Sequence, residues 1–145
     1  MAYLREGPAG DNPARTCAEV RTTADINGFI GRLLAEMAQA GFCEHDQFGV
    51  RLAIEEAIVN AIKHGNGEDP AKAVRVSYCV NSRELITEVE DQGPGFNPSA
   101  VPNPLAPENL ERPGGRGVFL MRHYMTFVQF NERGNRVLLY KTRET

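Results

Sequence analysis

The run LAIEEAIVNAIKHG at residues 52–65 restricts the fold more than any other stretch of the chain. Its apolar residues recur at helical spacing, not at the alternation of a strand. At a step of about 100° per residue, with Glu56 at zero, Asn60 lies at about +40°, Lys63 at about −20° and Gly49 at about +20°. Glu56, Asn60 and Lys63 therefore form one narrow stripe. Leu52 and Val59 flank it on one side, Ala53 and Ala57 on the other, and Ile54, Ile58, Ala61 and Ile62 fill the back. Such a helix needs cover on most of its surface, and its polar stripe needs an explanation. A carboxylate and an amide are costly to bury without partners. Facing a polar ligand would remove that cost, and their oxygens suit Mg²⁺ or its water shell. Glu56 could instead take a proton from a nucleophile. An amphipathic helix with two wet edges also accounts for the stripe taken alone. Arg51 and Glu55 form a second polar edge, spaced for an i,i+4 pair.

The elements around this helix follow from periodicity and breakers. Residues 16–22 fit a short strand, with Ala18, Val20 and Thr22 on one face. Thr23 or Asp25 is the expected cap of a first helix, in which Ile26, Phe29, Ile30, Leu33, Leu34 and Met37 recur through about Gln39. Gly41 ends it. Asp46 is the expected cap of the second helix, from about Gln47 to Lys63, closed by Gly65, Asn66 and Gly67. Val74–Val80 and Leu85–Glu90 read as a hairpin across Asn81–Ser82. A short helix over Val118–Tyr124 and a second hairpin, Thr126–Phe130 with Arg136–Lys141, complete the chain. Strands in hairpins and helices in runs predict an α+β, two-layer sandwich with helices on one face of a mainly antiparallel mixed sheet. The domain is expected over 16–145, with 1–15 as a flexible N-terminal arm.

Between the two hairpins, Asp91–Gly117 holds six prolines and five glycines. So long an irregular loop in a compact domain is often functional. Asp91-Gln-Gly-Pro-Gly-Phe96 follows a strand directly. There Gly93 and Gly95 would allow close backbone approach to a ligand and positive φ, and Asp91 could accept from an amino group such as that of adenine. A simple turn after a strand fits the same residues. Gly114-Gly-Arg-Gly-Val118 precedes an apolar helix, so its backbone N–H groups could cradle phosphates, with Arg112 and Arg116 adding charge and forked donors. A flexible linker is the plainer alternative. Neither a Walker A sequence nor a Rossmann fingerprint occurs.

The chain has 145 residues, enough for one domain, and its net charge of −3 gives no broad footprint for nucleic acid. Cys17, Cys43 and Cys79 are dispersed, which argues against a disulfide framework or a zinc site and favours a reducing, cytoplasmic setting. They are expected to be small, partly buried hydrophobes. No run approaches the ~18 apolar residues of a membrane span, and the N-terminus lacks the apolar core of a signal peptide.

In this order, EAIVNA (56–61), DQGPG (91–95) and GGRG (114–117) resemble the N, G1 and G2 boxes of the Bergerat (GHKL) ATP-binding fold. EEAIVNAIKHGN (55–66) is most similar to the anti-sigma-factor serine/threonine kinases of that superfamily. The resemblance spans about residues 16–142. It implies ATP and Mg²⁺ as cofactors, with Glu56 polarising the attacking hydroxyl and Asn60 binding the metal. Asp91 would read the adenine amine, with Gly93 and Gly95 close to the base. Gly115 and Gly117 would approach the phosphates, with Arg116 and Val118 in the same segment. Residues 97–113 would be the ATP lid, with Arg112 first and Arg116 second as the basic residue near its end that assists the γ-phosphate. Lys63 resembles a phosphate-touching residue of histidine kinases. The implied partners are an antagonist protein carrying the acceptor Ser or Thr and a sigma factor, and the resemblance also suggests a homodimer through the N-terminal strand and the first helix. The lid departs from the family pattern in carrying Pro98, Pro102, Pro104, Pro107 and Pro113, and Arg116 stands where a small or apolar residue is frequent. A binding switch without transferase activity is the alternative function. The catalytic piece of a histidine kinase is disfavoured, because no segment offers its two-helix dimerisation unit.

Overall fold

The computed structural model describes residues 15–93 and 115–144, with the backbone alone for 115–117. The elements run β1 (Thr16–Val20), α1 (Thr23–Ala40), α2 (Glu44–Asn60), a π-helical segment (Ala61–Gly65), β2 (Val74–Val80), β3 (Glu84–Glu90), α3 (Gly115–Tyr124), β4 (Phe127–Phe130) and β5 (Arg136–Thr142). The strands form one five-stranded sheet in the order β1-β2-β3-β5-β4, antiparallel at every pairing. All three helices lie on one face of it, α2 between α1 and α3. The chain has the α+β architecture that its element order predicts.

Strand alternation builds the core. On β3, Leu85, Thr87 and Val89 are buried while Glu84, Ile86, Glu88 and Glu90 are half-buried on the other face. Val74, Val76 and Tyr78 of β2 and Val137 and Leu139 of β5 continue the buried face. Against it pack Ile26, Phe29, Ile30, Leu33 and Met37 of α1 and Val50, Ala53, Ile54, Ala57 and Ile58 of α2. Phe29 meets Tyr78 edge-on at 5.5 Å between ring centres, and the Tyr78 hydroxyl donates to Glu36.

Both predicted helix caps are displaced. Thr22, not Thr23 or Asp25, caps α1: its Oγ1 accepts from the Asp25 N–H at 3.1 Å, while the Asp25 carboxylate accepts from the Thr22 N–H at 3.2 Å. Asp25 thus completes a capping box from inside the helix. Gly41 closes α1 at φ 100°, as its position predicts. Cys43 caps α2 by accepting from the Asp46 N–H through its sulfur at 3.5 Å. Asp46 lies inside the first turn and is buried. The cap was missed because a thiol is not among the usual capping groups. Cys17 and Cys43 are exposed rather than partly buried, and all three cysteines are free thiols. The last helix starts at Gly115, so it takes in glycines that composition alone assigns to a loop.

Candidate functional site

The second helix does not keep one pitch to its end. After Asn60 the turn widens, and the Asn66 N–H bonds the Ala61 carbonyl at 2.8 Å, five residues back. Such widened turns recur at functional sites. The uniform step that set Lys63 beside Glu56 and Asn60 therefore stops applying at Ala61. Glu56 and Asn60, one turn apart, share the α-helical part and are both half-buried, whereas Lys63 and His64 are exposed in the widened turn. No hydrogen bond or ion pair to the Glu56 or Asn60 side chain occurs among the described residues. Further back on the stripe, Gly49 is covered: a Cβ there would meet Tyr124 Cδ1 of α3 at 2.9 Å. The stripe is thus closed by α3 at its Gly49 end and unpartnered at its Asn60 end. Arg51 and Glu55 are exposed, as a solvent-facing edge should be.

The widened turn runs straight into the loop after β3. Gly65 lies against the Asp91 carboxylate, where a Cβ would overlap it, and a Cβ on Gly93 would overlap the Gly65 carbonyl. Neither glycine has positive φ; among the described residues the left-handed glycines are Gly41, Gly67 and Gly134. Gly93 is therefore required for close approach and not, as expected, for a left-handed turn. The Asp91 backbone is fixed from the far side by Asn135: the Asp91 N–H donates to the Asn135 carbonyl at 2.9 Å, and Asn135 Nδ2 donates to the Asp91 carbonyl at 3.2 Å. Asn66 Oδ1 accepts from the Gln92 N–H at 2.7 Å, and Gln92 Oε1 accepts from the Ala73 N–H at 3.0 Å. These bonds lock the turn onto the end of the helix.

Asp91 is 9% exposed, and its Oδ1 accepts from the Gly93 N–H at 2.8 Å. Burial raises its pKa above the ordinary carboxylate value, and the neighbouring Glu90 adds to the rise. The Gly93 N–H, Arg133 and Lys72 oppose it without cancelling it. The other carboxylate oxygen remains as an acceptor for a donor brought by a ligand.

Of the remaining predicted residues, Gly115, Arg116 and Gly117 open α3, placing their amides at a helix N-terminus. The Val118 side chain belongs to the core, which leaves only its backbone for a ligand. Gly95, Arg112 and the 97–113 segment lie outside the described residues, as does the arm expected over 1–15 except for Arg15. Asn66, Gln92 and Asn135 were missed as site residues. Sequence marks Asn66 and Asn135 only as turn-formers, and nothing local shows that both turns meet at Asp91. For a metal, Asn60 supplies a neutral oxygen that has no partner among the described residues, which fits a cation arriving with the charge of a nucleotide. Cys43, Asp46 and Glu144 also cluster. They lie at the opposite end of α2, where Asp46 already pairs with Lys141 at 3.6 Å.

Residues 20–141 match the histidine kinase-like ATPase domain. The serine-protein kinase RsbW of Listeria monocytogenes is 32% identical over 122 residues, 77% of this chain and 77% of the relative. The anti-sigma F factor of Clostridium kluyveri is 34% identical over 98 residues, 63% of this chain and 68% of the relative. The serine/threonine-protein kinase BtrW of Bordetella bronchiseptica is 27% identical over 89 residues, 60% of this chain, and the match spans 63% of that kinase's length.

Proposed function

The chain belongs to the histidine kinase-like ATPase family, in its anti-sigma kinase branch, and from that premise we propose that it is an ATP- and Mg²⁺-dependent protein serine/threonine kinase acting as an anti-sigma factor. The observation that carries this is the pair Glu56 and Asn60, half-buried, one turn apart and without hydrogen-bond or ion-pair partners among the described residues, on a helix whose widened last turn brings Gly65 against the Asp91 carboxylate. An ATP-binding domain needs a base-reading acceptor, an oxygen for the metal and a carboxylate for the acceptor hydroxyl, and these residues supply one each.

Asp91 accepts a hydrogen bond from the adenine amine. The amides opening α3 would hold the phosphates, Arg112 or Arg116 would supply the positive charge for the γ-phosphate, and Lys63 is a further exposed cation. Asn60 holds Mg²⁺, which when bound neutralises phosphate charge. Glu56 accepts the proton of the Ser or Thr hydroxyl as its oxygen bonds to the γ-phosphorus; the bond from phosphorus to the bridging oxygen breaks and ADP leaves. Positioning and charge neutralisation do most of this work. The acceptor is a small antagonist protein, and a sigma factor is held inactive when the antagonist is not engaged. The name of the anti-sigma F factor supports the sigma partner, and that of the serine-protein kinase supports a protein carrying the acceptor serine. A homodimer through β1 suits that strand's place at the sheet edge. No described helix is long and apolar enough to cross a membrane, and partners of this kind place the activity in the cytoplasm.

Transfer of labelled phosphate from ATP to the cognate antagonist tests this. Wild type should transfer and Glu56→Ala should lose transfer while keeping ATP. Absence of transfer by wild type, or full transfer by Glu56→Ala, contradicts the kinase assignment. A nucleotide-dependent binding switch is the second reading, favoured by the prolines at 98, 102, 104, 107 and 113. It predicts partner capture that Glu56→Ala leaves intact, with no transfer by either protein.

A further inference from the structure

Asn66, next in the chain to the Gly65 that lies against the Asp91 carboxylate, has half of its hydrogen-bonding capacity unused. The residue is 5% exposed. Its Oδ1 is occupied by the Gln92 N–H at 2.7 Å, but its Nδ2 is buried and has no partner. Buried polar atoms are rarely left so, and each exception calls for a reason. Holding the Gln92 turn explains the oxygen and not the nitrogen. Asn66 also belongs to the cluster around Asp91: Gly65 before it touches the Asp91 carboxylate, and Gln92, which it binds, follows Asp91 in the chain.

That cluster offers a ligand one acceptor, on Asp91, and one donor, on Asn66. Adenine presents the complement: an amine donor at N6, flanked by acceptor ring nitrogens N1 and N7. Guanine presents an oxygen at the same place, which would face the Asp91 carboxylate. We propose that Asn66 is a base-reading residue, whose Nδ2 donates, directly or through one trapped water, to a ring nitrogen beside the amine that Asp91 accepts. Asp91 and Asn66 together select adenine, one by accepting and one by donating. This rests on the ATP site described above.

The test pairs a variant with two altered ligands. Asn66→Asp keeps an acceptor for the Gln92 N–H and removes the donor. ATP, 1-deaza-ATP and 7-deaza-ATP are titrated into both proteins. Wild type should bind one of the two analogues roughly ten-fold more weakly than ATP, the scale of one lost hydrogen bond. In Asn66→Asp that discrimination should collapse towards one. Equal affinity of wild type for ATP and both analogues overturns the proposal without recourse to any variant. So does discrimination that survives unchanged in Asn66→Asp. Failure of wild type to bind ATP at all removes the nucleotide site itself, a different and recognisable result.

Discussion

Asp91 shows what the site costs the fold. Its raised pKa means that the folded state holds the proton more tightly than the unfolded chain does. Its contribution to stability is complete below the unfolded value, near 3.8, and is lost as pH rises through the higher folded value. Asp91→Asn removes that dependence while leaving an oxygen for the Gly93 N–H. In thermal melts without nucleotide from pH 4 to 7, the variant should therefore gain on wild type as pH rises. It should nevertheless bind ATP far more weakly, since with its oxygen held by the Gly93 N–H the amide would turn its NH₂ donor toward the adenine amine. Stability traded against binding is the expected mark of a functional carboxylate. Gly93 carries the second residue-scale prediction. A Cβ there has no room beside the Gly65 carbonyl, so Gly93→Ala should destabilise by about 1–3 kcal/mol in denaturant melts and abolish nucleotide binding. A variant as stable as wild type would mean that the turn is not packed this closely.

Among the elements, α2 joins structure to chemistry. Its Gly49 end is covered by Tyr124 of α3, and its Asn60 end opens towards Asp91. Gly49→Ala should push α3 away, costing about 1–3 kcal/mol by the same overpacking. Because α3 opens with Gly115, ATP affinity should fall too, with little change in the binding of adenosine, which has no phosphates. Equal losses for both ligands would show that α3 does not reach the phosphates. The elements themselves were legible in the sequence, since Ile26 to Met37 and Leu52 to Ile62 keep helical spacing and Val74–Val80 keeps strand character. Their ends were less so. Cys43 is an unusual cap, the widening after Asn60 breaks the uniform step on which Lys63 was placed, and glycines at 115 and 117 conceal a helix start. The polar stripe was legible because its apolar flanks are contiguous in sequence. Asn66 and Asn135 were not, because their roles depend on two turns 69 residues apart meeting at Asp91.

At the scale of the whole molecule, the two ends of α2 are held differently. At the start, the Asp46 carboxylate, 1% exposed, receives the Glu144 N–H at 2.9 Å and faces the Lys141 ammonium at 3.6 Å. Lys141 also donates to the Tyr124 carbonyl at 3.2 Å. This cluster ties α2 and α3 to the end of β5, far from the predicted nucleotide. Lys141→Met should leave the buried Asp46 charge without its cation and cost about 3 kcal/mol, read as a lowered melting temperature with ATP affinity little changed. At the other end, α2 should be ordered by its ligand, and a ligand that binds only the folded state raises apparent stability. The central claim is that this end, with Asp91, is an ATP·Mg²⁺ site. Calorimetric titration of ATP and GTP, each with and without Mg²⁺, into wild type, Asn60→Ala and Asp91→Asn tests it most directly. Saturable binding by wild type, with loss of the Mg²⁺ dependence in Asn60→Ala and of adenine preference in Asp91→Asn, is the predicted result. No binding by wild type, or identical binding by all three proteins, would contradict it.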